Sequence, residues 1–326
     1  MNFARLFAAA ALLVAGSAMD AEAETCGLGL MASLDMAVGE NGVPRAPVSL
    51  NGATYQFYVD TAGVYSKLSG DLANKLGLKQ TPTGMEIYSV KGMVRANSVD
   101  IESLKLGSAE ARHFHLMVGS DLNMPSGSDG VLAGDLLALF DAEFDFQKGK
   151  LNLFSQDHCP GKVVYWTQSG YAELPFHFTA GPISSVDHID FNTTLDGRTL
   201  STDFDTGSTW TWISSKVASE IFGLDGASPG VVKTPTGGGD ASIHGKQFGL
   251  LEMGGVADRN PVIAIIEDRT EDAFRMAHSE KSRDDPIYGS RVENEQLTLG
   301  MNVITKLHIY IAYKQKKIYA TAADAR

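Results

Sequence analysis

Asp205-Thr206-Gly207-Ser208 and Asp60-Thr61-Ala62-Gly63 are the two stretches on which the fold of this chain turns. One such tetrapeptide is common by chance; two in matching contexts are not. Each Asp follows a hairpin-like run, Leu50-Asn51-Gly52-Ala53 through Val59 and Leu195-Asp196-Gly197-Arg198 through Phe204. Asn-Gly and Asp-Gly favour tight two-residue turns because both residues tolerate positive φ. The offset between the copies stays at 145 from the turn to the Asp. An internal duplication is the natural reading.

The likeness runs on past each Asp. Ser66 answers Thr211, and short helical patterns follow at Asp71–Leu76 and Lys216–Ile221, each closed by Gly-Leu (Gly77-Leu78 and Gly223-Leu224). Glycine just past a helix end is a stop signal. Leu104-Lys105-Leu106-Gly107 answers Leu251-Glu252-Met253-Gly254 at an offset of 147, and Val131–Leu137 answers Thr298–Ile304 at 167. The jump places a charged insertion in the second copy, at about residues 267–296. Each copy ends in alternating strands, Ala142–Phe146 with Lys150–Leu153 and Ile309–Tyr313 with Lys317–Tyr319. The domain reading is residues 24–154 for a first lobe, 155–182 for a linker and 183–326 for a second lobe.

In these residues the chain resembles the retropepsin-like aspartic peptidases, in the exported bacterial form with two tandem lobes. The resemblance rests on Asp205-Thr206-Gly207-Ser208 with Thr211, on Thr298-Leu299-Gly300-Met301-Asn302, and on looser first-lobe copies of both. It covers about residues 45–320. It implies a mostly β fold: two closed-barrel lobes with short helices, related by a pseudo-twofold axis, and one active site between them. Asp60 and Asp205 would be the catalytic pair. Thr61 and Thr206 would lock the two loops together, with Ala62, Gly63, Gly207 and Ser208 supporting them. The segments holding Tyr88, Val90 and Gly92, and Gly239, Ile243 and Gly245, match the family's flap; plain surface hairpins are the alternative.

The chemistry needs two carboxyls close enough to share a proton, since like charges so near cannot both ionise. The ionised partner activates a water and the protonated one hydrogen-bonds the scissile carbonyl. The pair titrates as a unit, so neither role is assigned from sequence. The first copy departs from the second in one way twice: Ala62 stands opposite Gly207, and Ala133 opposite Gly300. These methyl groups either displace Asp60 or fit with a local shift, with Gly63 and Gly134 as relocated flexible positions. A Ser208 hydroxyl after the motif is expected to donate to Asp205 and favour its charged form. Two functions remain open at this point: an endopeptidase cleaving within one chain, or a peptide-binding module on the same fold without chemistry.

Composition limits the partners. The net charge of −12 disfavours nucleic acid and anionic membranes. Residues 1–23 read as a signal peptide, with Arg5, an apolar run from Leu6 to Ala15, and Ala21-Glu22-Ala23 as the cleavage pattern. The expected product is an exported monomer, periplasmic or secreted and without a membrane anchor, acting on peptides or unfolded protein. Cys26 and Cys159 are the two cysteines, and an even pair in an exported chain reads as a disulfide, the other reading being two unpaired thiols. No metal site and no cofactor are expected. His113 and His115 alternate on a predicted strand, but with no carboxylate or third His expected beside them a surface role suits them better than a ligand set.

Overall fold

The computed structural model describes residues 27–89, 92–119, 127–158, 162–178, 188–234, 243–266 and 296–325. The two cysteines, Val90, Gly239, residues 1–23 and nearly all of the charged insertion lie outside them. The fold is mostly β, with two lobes built on an eight-stranded and a ten-stranded sheet, and a six-stranded sheet beneath both.

The duplication is visible in the strand register. In the first lobe Pro44–Leu50 and Ala53–Val59 form a hairpin whose turn has φ of 50° at Asn51 and 86° at Gly52. The second lobe repeats it with Ile189–Leu195 and Arg198–Phe204, turning at Asp196 (46°) and Gly197 (79°). Positive φ at both turn residues is what these dipeptides were expected to supply. The strand entering each Asp then pairs in parallel with the apolar block far along the chain. Val59 meets Leu132 in one lobe and Phe204 meets Leu299 in the other. After the Asp loop, Lys67–Ser69 and Trp212–Ser214 return antiparallel to that same block.

The short helices fall where the sequence placed them. Gly70–Lys75 is capped by Ser69, whose hydroxyl accepts from the Leu72 N–H; Ser215–Phe222 is capped by Ser214 in the same way, from Val217. Such a cap satisfies one of the four N–H groups a helix start leaves orphaned. Gly77 and Gly223 both take φ of 64°, a left-handed stop that a side chain would strain.

The alternating strands that end each copy do not close their own lobes. They leave both lobes, of which only the first closes its sheet into a barrel among the described residues, through Pro44–Leu50 against Gly92–Leu106, and they pair with each other: Asp141–Asp145 runs antiparallel to Leu307–Ala312. Lys150–Phe154 and Lys317–Ala322 extend the sheet, and Leu30–Asp35 and Ala172–Pro175 form its edges. The latter lies in the stretch read as a linker, so that stretch supplies a strand to the shared sheet. Period-two alternation splits this sheet into two faces. Ala142, Phe144, Leu151, Ile309, Ile311 and Ile318 join the main core. The other face buries carboxylates among aromatics. The His308 Nε2 lies 2.8 Å from Glu143, the Trp166 ring stacks 4.2 Å above His308, and the Tyr310 hydroxyl donates to Asp141. Buried charges persist only when paired in this way.

Candidate active site

Asp60 and Asp205 each stand in the loop just past a strand whose last three residues are buried, Ala53–Val59 and Arg198–Phe204. In both lobes the Asp N–H donates to the carbonyl of the paired apolar block, Leu132 at 2.9 Å and Leu299 at 3.1 Å. The loops meet at the pseudo-twofold axis. Thr61 Oγ1 donates to the Phe204 carbonyl and Thr206 Oγ1 to the Val59 carbonyl, both at 2.8 Å. Each hydroxyl also accepts from the partner threonine's N–H, at 3.1 and 3.0 Å. All four bonds are buried, so each lobe satisfies polar groups that the other would leave orphaned.

This lock sets the carboxyl spacing. A methyl group built on Gly207 would lie 2.7 Å from Asp60 Oδ1 and 3.0 Å from Asp205 Oδ1. The two oxygens are therefore at most about 5.7 Å apart, the sum of those distances, which is within reach of one bridging water. Any side chain at 207 would occupy that space.

A second layer of bonds holds the loops from behind. The Ser66 hydroxyl donates to Asp135 at 2.6 Å and accepts from the Ala133 N–H at 2.9 Å. In the other lobe the Thr211 N–H donates to Asn302 Oδ1 at 2.6 Å, and the Gly300 N–H donates to Thr211 Oγ1 at 3.0 Å. Ala133 and Gly300 share an extended conformation open to any residue. What differs is the space. A methyl group on Gly300 would run into the Trp210 carbonyl and the Thr211 nitrogen, whereas one on Gly63 would come within 3.1 Å of Ala133 Cβ. The second lobe makes its room at 300 and the first at 63. Ala62 still donates its N–H to Asp60 Oδ1 at 3.1 Å, and Gly63 donates to the same oxygen at 2.8 Å.

The environments of the two carboxyls differ. Burial pushes both above the ordinary range. For Asp60 this is opposed by the nearby Lys67 cation, the Gly63 N–H and the Tyr58 hydroxyl, which donates to Oδ2 at 3.2 Å. For Asp205 it is reinforced by the charges of Asp60 and Asp203, and opposed by His188 and by the Gly207 N–H at 2.7 Å. Asp205 is thus driven well up, and Asp60 less far. The Tyr58 hydroxyl is itself held protonated by burial and by Asp60. Ser208 does not take part as expected: its hydroxyl donates to the Trp210 carbonyl at 2.8 Å instead.

Among the flap candidates, Tyr88 and Gly92 lie at the tip of a hairpin formed by Thr81–Ser89 and Gly92–Leu106. Ile243 and Gly245 lie on Ile243–Gln247, which pairs with Val231–Thr234. His113 and His115 are exposed, and each faces a carboxylate across the sheet, Glu102 and Asp100, contrary to the expectation that none accompanies them. Among the described residues no cluster of His, Cys, Asp and Glu could hold a metal, and no helix is long and apolar enough to cross a membrane. Tyr58, Lys67, His188 and Asp203 were not anticipated. Placing the copies side by side would have found three of them, because Tyr58 aligns with Asp203 and Lys67 with Trp212.

A family model described as aspartyl protease matches residues 46–136 and 191–303. A search of curated protein sequences finds no significant match. Among solved structures, similar folds include the aspartic proteinase from Irpex lacteus, at 12% identity and TM-score 0.53, covering 91% of this chain and 98% of that one. Basic 7S globulin from soybean is similar at 10% identity and TM-score 0.51, covering 91% and 99%. A protein titled edgp is similar at 6% and 0.52, covering 91% and 96%. Likeness at such identities speaks to the fold.

Proposed function

Because the chain belongs to the aspartyl protease family, we propose that it is an endopeptidase, hydrolysing peptide bonds with a water held between Asp60 and Asp205. The observation that carries this reading is the threonine lock, which brings two unequal carboxyls to within about 5.7 Å.

The inequality suits a division of labour. Asp60 accepts three hydrogen bonds and has a cation nearby, so it is the better carboxylate. Asp205 faces two negative charges and keeps the shared proton. In the forward step Asp60 takes a proton from the water as its oxygen attacks the carbonyl carbon. Asp205 gives its proton to the carbonyl oxygen, forming a neutral gem-diol. Collapse breaks the C–N bond while the proton held by Asp60 passes to the leaving nitrogen and one diol hydroxyl returns its proton to Asp205.

A peptide-binding module without chemistry would be favoured by a displaced Asp60. Instead Ala62 and Gly63 both hold the Asp60 carboxylate, and Gly63 provides the room beside Ala133. The same proposal includes an exported monomer that takes extended peptide or unfolded protein, by strand-like pairing in the cleft. The test is incubation of the mature chain with a denatured protein from pH 3 to pH 8, with and without pepstatin. Cleavage that pepstatin blocks supports the peptidase. Peptide binding without cleavage at any pH supports the module and overturns the peptidase.

A further inference from the structure

Each lobe presents a row of five register-paired residues beside its catalytic Asp. In the first lobe Arg45 pairs with Tyr58, Tyr58 with Val131, Val131 with Lys67, and Lys67 with Met117. In the second lobe the same positions hold Asp190, Asp203, Thr298, Trp212 and Ala264. Paired residues share one face of a sheet. Tyr58 shows that this face borders the dyad, because its hydroxyl reaches Asp60. The alternate positions, such as Phe57, Leu68 and Leu132, are in the core.

The two rows are equivalent in place and opposite in charge. Arg45 and Lys67 make the first basic; Asp190 and Asp203 make the second acidic. Three of these four charges have partners in hand. Arg45 donates to the Gly127 carbonyl at 3.3 Å, Asp203 meets His188 at 3.2 Å, and His177 lies 4.0 Å from Asp190. Lys67 differs. Among the described residues its ammonium has no hydrogen bond and no carboxylate within 4.0 Å, and Asp60 acts on it only at longer range. Its stem is packed: a methyl group on Gly119 would lie 2.9 Å from Lys67 Cδ. Burial lowers its pKa and the Asp60 charge raises it. The result is a partly enclosed cation, held in place beside the dyad with its head unpaired, where the other lobe has an indole.

We propose that Lys67 forms a specificity subsite for an acidic side chain, Asp or Glu, on the substrate residue that adjoins the scissile bond on the first-lobe side. The working dyad carries one negative charge and on its own repels such a residue. A fixed cation reverses the sign, and a charge pair shielded from water by bound peptide is stronger than an exposed one. The cleavage readout of this proposal rests on the peptidase reading; its binding readout does not.

The experiment uses peptides identical except for Glu, Gln or Lys at the two residues flanking one bond, each made also with a non-hydrolysable hydroxyethylene link. We expect wild-type kcat/KM to favour Glu over Gln by about tenfold at one flanking position, the ratio that ~1.4 kcal/mol produces. Lys67→Met abolishes the preference, Lys67→Arg keeps it, and Lys67→Glu turns it toward Lys. The preference fades as pH falls through the ordinary Glu value of about 4.3. Dissociation constants of the linked peptides follow the same order. If wild type binds the Glu analogue more tightly, Lys67→Met loses this, and nothing is cleaved, the subsite stands and the peptidase reading falls. Equal handling of Glu and Gln by wild type, a preference that survives Lys67→Met, or no binding of any peptide overturns the subsite.

Discussion

Thr206→Val isolates the lock between the lobes. Valine nearly matches threonine in shape, so packing around 206 is retained while one hydroxyl is lost. The Val59 carbonyl and the Thr61 N–H then lose a partner at 2.8 and 3.1 Å, in a site where Thr61 and Thr206 are 1% and 0% exposed. No solvent reaches them to compensate. A buried polar group left unsatisfied costs about 1–3 kcal/mol, so the pair costs roughly 2–6 kcal/mol. Thr61→Val removes the mirror-image bonds to Phe204 and Thr206 and is expected to cost about as much. The assay is urea unfolding of each variant, reading the midpoint at unchanged slope. The same variants are expected to lose activity out of proportion to stability, because a shift near 1 Å between the carboxyls costs about a hundredfold in rate. A loss below about 1 kcal/mol in both variants refutes the reasoning, since the hydroxyls would then be dispensable to the lobe contact.

Gly207→Ala places a methyl group 2.7 Å from Asp60 Oδ1 and 3.0 Å from Asp205 Oδ1, so one carboxyl must move; kcat is expected to fall about a hundredfold or more with the fold intact by circular dichroism. Asp205→Asn is expected to stabilise the protein at neutral pH. The folded-state pKa of Asp205 is raised well above 3.8, so the wild type loses stability as pH rises from that value toward the raised one, and asparagine removes this loss. Thermal unfolding should show the variant ahead at pH 7 and level with wild type below about pH 3.8, where both forms of the acid are protonated. Asp203→Asn removes a negative charge that holds the Asp205 proton, so the basic limb of the kcat/KM profile should move to lower pH. The other charges facing Asp205, Asp60 and His188, remain, and an unmoved limb would show that Asp203 does not act on the dyad.

Much of this was legible because the chain states it twice. Asn51-Gly52 and Asp196-Gly197 are local signals whose geometry depends on two residues, and Ser69 and Ser214 cap helices from one turn away. Local rules read such features well. The sheet joining Asp141–Asp145 to Leu307–Ala312 was not legible, because its partners lie more than 160 residues apart and alternation does not name a partner. The same strands would equally have suited closure within each lobe. Ser208 illustrates a different limit: a hydroxyl has a free rotor, and it takes the Trp210 carbonyl two residues on as its acceptor. The relocation of space from 300 to 63 was visible as an alternative in Gly63 and Gly134, but only the backbone path of Trp210 and Thr211 shows why glycine is needed at 300. Lys67 stood in plain view opposite Trp212, but only strand register shows that it shares a sheet face with Tyr58.

The central claim is one dyad formed within one chain by Asp60 and Asp205. Its most direct test is the cleavage rate of Asp60→Asn and Asp205→Asn, each alone and mixed in equal amounts, against wild type at the same concentration. Wild type is expected to cleave with a rate linear in enzyme concentration, and neither variant nor the mixture to cleave measurably. Activity retained by Asp60→Asn, or restored on mixing, would contradict it by showing a site assembled from two chains; an inactive wild type would contradict it outright.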